Sequence, residues 1–210
     1  MPTVRDTISD TLNILRHNLE QGLNTLQPLP GNGDTDAVVI GNIAQVENTD
    51  GGFLPALSNR IVVTLIKTEE EYALKNQPNH RRNPVSGNLE YANPPVFLNL
   101  YLLITPNLSD YGIALTFLSR IISFFQHQRV FTETNSLLPG GAAFPIQTFN
   151  FNLSMVSPGF EQLNHLWGIL GGKMLPSVLY KLQLQEIAYI PDEMLPASPI
   201  TTITLTEQLF

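Results

Sequence analysis

Between Val96 and Phe125 the apolar residues change spacing, from every second position to every third or fourth, which predicts a strand followed by a helix. Val96, Leu98, Leu100, Leu102 and Ile104 make an aliphatic stripe on one face of the strand, and Phe97, Asn99, Tyr101 and Leu103 make the other face mostly apolar too. A strand covered on both faces is central to its sheet. Thr105-Pro106-Asn107 breaks it, Ser109 is placed to cap the next helix, and Asp110 sits near that helix's positive end. Ala114, Phe117, Leu118, Ile121 and Phe125 then recur at helical spacing, with Leu115 and Ile122 widening the stripe.

The same reading places the remaining elements around this unit. Thr3 to Leu26 is a helix with Thr3 and Asp6 at capping-box spacing; its narrow face of Val4, Ile8, Leu12, Leu15, Leu19, Leu23 and Leu26 suits the chain's own sheet or, less commonly, a neighbouring subunit. Ala37 to Val46 and Arg60 to Thr68 read as two strands that pair as a wide hairpin across Asn48–Gly52. Glu69-Glu70-Glu71 ends the second, and a loop of about twenty residues rich in Asn, Pro, Gly and basic side chains leads to the core strand. Phe131 to Pro145 is a second loop. Phe149, Phe151, Leu153 and Met155 alternate with Asn150, Asn152 and Ser154, a strand with one wet face. Ser157-Pro158 opens a third helix with Phe160, Leu163, Trp167 and Leu170 as its buried face, and Gly171-Gly172 stops it. Pro176 opens the last long strand, in which Val178, Tyr180, Leu182 and Leu184 share a face and a bulge near Glu186 brings Ile187 and Tyr189 into phase. Beyond Pro191 only Ile200 to Leu205 alternates like a strand. The fold class is α+β: a single domain over residues 1–190, with a mixed β-sheet of about five strands flanked by three helices, and an extended C-terminal arm over 191–210.

Composition narrows what such a domain does. The chain is 43% hydrophobic and 14% charged, as globular chains are, and its net charge of -7 excludes the basic groove that nucleic acid requires. It has no cysteine, so no disulfide, thiolate metal site or cysteine nucleophile exists. Nothing in it approaches the roughly 20 apolar residues that cross a bilayer, and the opening MPTVRDTISD is not a secretory leader, so the expectation is a protein made in the cytoplasm with no direct membrane insertion.

Candidate chemistry is sparse. Gly168 to Lys173 resembles a phosphate loop only in part: Trp167 stands where a glycine is needed, Met174 replaces the hydroxyl residue, and a helix precedes it, so it reads as a helix terminator. Asn32, Asp34 and Asp36 open like a calcium loop, but Ala37 takes the obligatory glycine position. Adjacent Glu69, Glu70 and Glu71 alternate between strand faces with no histidine close in sequence, and read as a charged strand end. His17, His80, His127 and His165 show no paired spacing, and no serine sits in a nucleophile elbow. No catalytic residue, metal or cofactor is expected. His80-Arg81-Arg82 is the basic cluster of note, either a solvated loop tip or a docking site for an acidic partner. Ile200, Ile203 and Leu205 are the second candidate contact, as a short strand whose backbone needs an edge to pair with.

Three segments together resemble one family. VTLIKTEEEYALKNQP, PPVFLNLYLLITPNLSDYGIALTFLSRIISFFQHQRVFT and FEQLNHLWGILGGKMLPSVLYKLQLQEI are similar to the cap, or tail-terminator, proteins of extracellular contractile injection systems of the antifeeding-prophage and Photorhabdus-virulence-cassette type. They span most of residues 60 to 190; the family often has a basic residue where Tyr72 stands, and some members carry a further C-terminal domain. The resemblance implies a tail-terminator-like fold and a structural protein. It implies a homohexameric ring at the baseplate-distal end of tube and sheath, contacting sheath and inner-tube subunits and stopping their polymerisation. It also implies a particle made in the bacterial cytoplasm and then released or anchored. Two other classes remain compatible with the residues: a stand-alone small-molecule or protein binding module without catalysis, and an enzyme whose site assembles only in three dimensions.

Overall fold

The computed structural model describes residues 7–24, 36–45, 57–74, 80–82, 89–91, 96–141 and 149–187. In chain order the elements are α1 (Thr7–Asn24), β1 (Val38–Ile40), β2 (Arg60–Glu70), β3 (His80–Arg82), β4 (Leu89–Tyr91), β5 (Val96–Asn107), α2 (Tyr111–His127), β6 (Val130–Thr132), β7 (Asn150–Val156), α3 (Phe160–Ile169) and β8 (Val178–Ile187). Single 3-10 turns lie at Ile43–Gln45 and Tyr72–Leu74. Six strands form one mixed sheet in the order β1-β2-β5-β8-β7-β6, and β3 and β4 form a separate antiparallel ribbon. With three helices on this sheet the fold is α+β, as the sequence predicts.

The predicted core strand is central. β5 pairs antiparallel with β2 on one side and β8 on the other, and Leu100, Leu102, Leu103 and Ile104 have essentially no exposure. Its alternating side chains divide the interior in two. On one face α1 and α2 pack Leu12, Ile14, Leu15, Leu19, Leu23, Phe117, Ile121 and Phe125 against Leu100, Leu102 and Ile104 of β5 and Tyr180 and Leu182 of β8. On the other face α3 sets Trp167 into a smaller cluster with Val39, Ile43, Leu57, Val62 and Leu103. Burying one leucine is worth about 1.5–3 kcal/mol, so the four buried leucines of α1 commit that helix to its own sheet, not to a neighbour. Aromatic rings fill the far end of the larger core: Phe125 meets Tyr180 with centroids 4.8 Å apart, and Phe131 stacks on Phe151 at 5.2 Å.

Several local expectations are corrected. β1 is parallel to β2, not its hairpin partner, with Val38, Val39 and Ile40 opposite Ile61, Val62 and Val63. The strand ends at Ile40 because Thr64 captures the chain beyond it: Thr64 Oγ1 donates to Gly41 O at 2.7 Å and accepts from Ile43 N at 3.2 Å, and the 3-10 turn follows. The long connection to Arg60 then leaves room for the crossover that a parallel pair needs. Arg16 anchors the start of β1 through Asp36 at 2.7 Å, while Glu20 Oε1 accepts Ala37 N at 2.8 Å. β6 and the β3–β4 ribbon occupy stretches expected to be loops. Asp110, not Ser109, caps α2 by accepting Ile113 N at 3.0 Å, and Ser109 N instead donates to Asn59 Oδ1. The cap of α3 is Gly159, whose N–H donates to Gln162 Oε1 at 3.1 Å, in place of Ser157. The predicted stop of α3 holds: Gly171 and Gly172 have φ of 104° and 79°, and Gly172 N bonds back to Trp167 O. The bulge expected near Glu186 is present in β8 between Leu182 and Gln185, and β2 carries a further bulge at Ile66. Residues 1–6 and 25–35, which hold Val4, Leu26 and the expected Thr3–Asp6 cap, lie outside the described residues.

Candidate assembly interface

The basic cluster His80-Arg81-Arg82 is all of β3, and its register sets His80 opposite Tyr91, Arg81 opposite Glu90 and Arg82 opposite Leu89. The three residues therefore sit on a paired ribbon that falls between β2 and β5 in the chain. Ile200, Ile203 and Leu205 lie outside the described residues. The structure thus gives the first candidate a defined local scaffold and does not bring the two candidates together.

A polar band that sequence reading missed crosses the sheet on the side carrying α3. Tyr101, on the same face of β5 as Leu103, donates its hydroxyl to Glu69 Oε2 at 2.8 Å, and Lys67 Nζ lies 3.2 Å from the other oxygen of that carboxylate. Lys67 and Lys181 hold their ammonium groups 5.4 and 5.9 Å from the Tyr101 ring centroid. Asn99 Nδ2 donates to Glu71 Oε2 at 2.9 Å, though Asn99 is only 2% exposed. The hydrogen bond from Tyr101, assisted by Lys67, holds the Glu69 carboxyl below its ordinary value, and the bond from Asn99 does the same for Glu71. The same bond to Glu69 pushes the Tyr101 phenol up. These glutamates are thereby committed to fixing β2 against β5 past the bulge, and among the described residues no cluster of three or more His, Asp or Glu forms a metal site. The polar letters at Asn99 and Tyr101, in the middle of a largely apolar strand, signal this band in the sequence.

Apolar surface is left over on two helices. Phe160, expected in the buried face of α3, is 93% exposed, because the helix turns Leu163, Leu166, Trp167 and Leu170 to the sheet and Phe160 projects from its first turn. Ile169 at its other end is 82% exposed. On α2 the expected widening residues Leu115 and Ile122 are also exposed, and with Tyr111 and half-buried Leu118 they make a stripe at four-, three- and four-residue steps beside the buried one. At the foot of α2 a shallow depression of about 460 Å³ is lined by Gln126, His127, Gln128, Arg129, Val130 and Asn135.

The model of the Pvc16 N-terminal domain family matches residues 10–196, which hold every described helix and strand except the first turn of α1. The chain belongs to the Pvc16 N-terminal domain family. The resemblance read from the sequence is borne out at that level. Among solved structures, this Pvc16 N-terminal domain chain is similar to the sheath/tube terminator of the extracellular contractile injection system PVC in its extended state, with 16% identity over 94% of this chain and a TM-score of 0.49. It is also similar to the tube-terminating cap of the anti-feeding prophage, with 18% identity over 79% of this chain and a TM-score of 0.46. The chain spans 64% and 57% of the length of those two proteins. No curated protein matches it in sequence.

Proposed function

We propose that this chain is a structural terminator of a phage-tail-like contractile injection particle: six copies close into a ring on the baseplate-distal end of tube and sheath and stop both from growing. The observation that carries the reading is the family match over residues 10–196, which takes in every described strand of the sheet and all of its helices but the first turn of α1. The exposed apolar positions on α2 and α3 supply surface beyond what one fold needs, and heterologous contacts between such patches close into a ring when the rotation between neighbours divides the circle. Residues 191–210 serve as an arm reaching beyond their own subunit, and His80–Arg82 meets an acidic surface of sheath, tube or neighbouring cap. The role asks for binding and shape, with no catalytic step and no cofactor. Assembly takes place in the bacterial cytoplasm, before the particle is released or anchored.

Light scattering of the purified chain, followed by electron microscopy of particles, tests this. The expected result is a hexamer with interfaces of at least about 2,000 Å² each, seated at one end of particles whose length becomes irregular when the chain is missing. A monomer on assembled particles, or uniform length without the chain, overturns it.

A further inference from the structure

Phe160 is the most exposed large apolar side chain among the described residues, and its neighbour sets it apart from the others. Exposed Val130 and Met174 each adjoin a cation, and most of the rest adjoin uncharged residues. Tyr111 and Tyr72 stand beside carboxylates that are already engaged, since Asp110 caps α2 and Glu71 holds Asn99. Glu161, beside Phe160, is exposed and makes no hydrogen bond or ion pair with any described residue. Gly159 N, bonded to Gln162 Oε1, fixes the turn that carries both. The first turn of α3 is therefore a knob that presents an aromatic ring and a carboxylate together.

The depression of about 460 Å³ at the foot of α2 has the opposite character. Arg129 in its wall bonds Gln126 Oε1 and forms an ion pair with no described carboxylate. His127 lines it too, exposed Val130 adds apolar surface, and no acidic residue is among its described lining, although the chain carries a net charge of -7. Its rim is already held: Asn135 Oδ1 accepts Thr132 N at 2.8 Å, Asn135 Nδ2 donates to Val130 O at 2.9 Å, and Gln128 Nε2 donates to Asn135 O at 3.2 Å. A site preorganised in this way loses less freedom on binding.

Phe160 is 93% exposed, so it does not fill the depression of its own chain. α2 packs on one face of the sheet and α3 on the other. A reciprocal two-fold contact would need both features on one side; on opposite sides they join copies head to tail, the arrangement that closes into a ring. Aromatic anchors and opposite charges are what such contacts use. We infer that Phe160 and Glu161 of one copy seat in the depression of the next, the phenyl group against Val130 and the carboxylate on Arg129. The inference rests on the ring reading above and names the contact that joins neighbours.

Sedimentation of the full-length chain over a dilution series tests it. Phe160→Ala removes a side chain that barely touches its own fold, so circular dichroism should stay parental while association weakens by roughly 30-fold per contact. Glu161→Arg and Arg129→Glu should each weaken the ring, and the two together should restore it, most clearly at low salt. Unchanged association in all three single variants overturns the inference, as does a double variant no better than its singles. The absence of native cysteine allows a direct check: oxidised Glu161→Cys/Arg129→Cys should give a ladder of chain multiples on a non-reducing denaturing gel, collapsing on reduction. A compact cross-linked monomer would place both sites in one chain and overturn it. If Phe160→Ala leaves the ring intact but frees it from particles, the knob meets sheath or tube, and this contact is refuted while the terminator reading stands. If the parental chain caps particles as a monomer, the ring reading itself has failed and this contact falls with it.

Discussion

Tyr101 of β5 bonds Glu69 of β2 diagonally, one pair beyond its own register partner Lys67 and just past the Ile66 bulge, and their 2.8 Å hydrogen bond shifts both groups, holding the carboxyl below its ordinary 4.5 and the phenol above its ordinary 10.0. A carboxyl depressed in the folded chain gives stability that is full above the unfolded value and is lost as pH falls through the folded one; a phenol raised in the folded chain gives stability that is full below its unfolded value and is lost as pH rises through the folded one. Tyr101→Phe removes the largest cause of both shifts. Urea midpoints should therefore depend less on pH in the variant than in the parent, below the ordinary carboxyl value and above the ordinary phenol value. Parallel curves for the two proteins would exclude this coupling.

Gly22→Ala should destabilise, against helix propensity. Alanine in a helix interior is favoured over glycine by about 1 kcal/mol, but a Cβ at Gly22 would run into the ring of Phe124, which is itself packed on Phe125 at 5.1 Å between centroids. Overpacking of this kind costs about 1–3 kcal/mol. The expected net result is a lower melting temperature, recovered by adding Phe124→Leu; a gain in stability for Gly22→Ala alone would show that the ring moves aside freely.

Asn18 fastens the loop after β6 to α1. Its Nδ2 donates to Leu137 O and to Ile14 O, and its Oδ1 accepts Leu137 N, each at 2.8 Å. Asn18→Ala leaves the Leu137 amide and carbonyl without this partner in a part-buried setting and should cost about 1–3 kcal/mol. Amide exchange at Leu137 should accelerate in step, and parental exchange there would contradict the assignment.

Arg81→Glu and Arg82→Glu test the β3–β4 ribbon as a contact for an acidic partner. Register already puts Glu90 opposite Arg81, so the charge reversal at Arg82 should weaken capping more than the one at Arg81, and the difference should shrink as salt is raised. Particle length distributions measure this. Equal effects, or none across the salt series, would return the ribbon to a solvated projection.

What the sequence made legible were the elements whose pattern is dictated by one dominant burial. β5 and α2 show it because both faces of the strand, and one face of the helix, are dry over many residues. Direction of pairing is a different matter: Val38, Val39 and Ile40 are apolar whichever way they run, and the choice was made by the Thr64 side chain and by Arg16 and Glu20 of α1. Short β6 was hidden because three residues carry no period, although Phe131 is wholly buried. Phe160 misled because helical spacing counts apolar letters and does not say where the helix leaves the sheet. The polar band escaped because its members come from three strands, and only the register joins Lys67, Tyr101 and Lys181 in one row.

The packing of α1 against β8 sets a condition on how the chain is made. Leu15, Leu19 and Leu23 share their core with Tyr180 and Leu182, which follow them far along the chain. At about 5–20 residues per second the helix waits roughly 8–30 s for that partner. Through that interval its leucine face has β1, β5 and α2 to pack on but not β8, and the central β5 has β2 beside it but lacks its other neighbour. The sheet is therefore closed around its central strand only by the last of its strands to be made among those described.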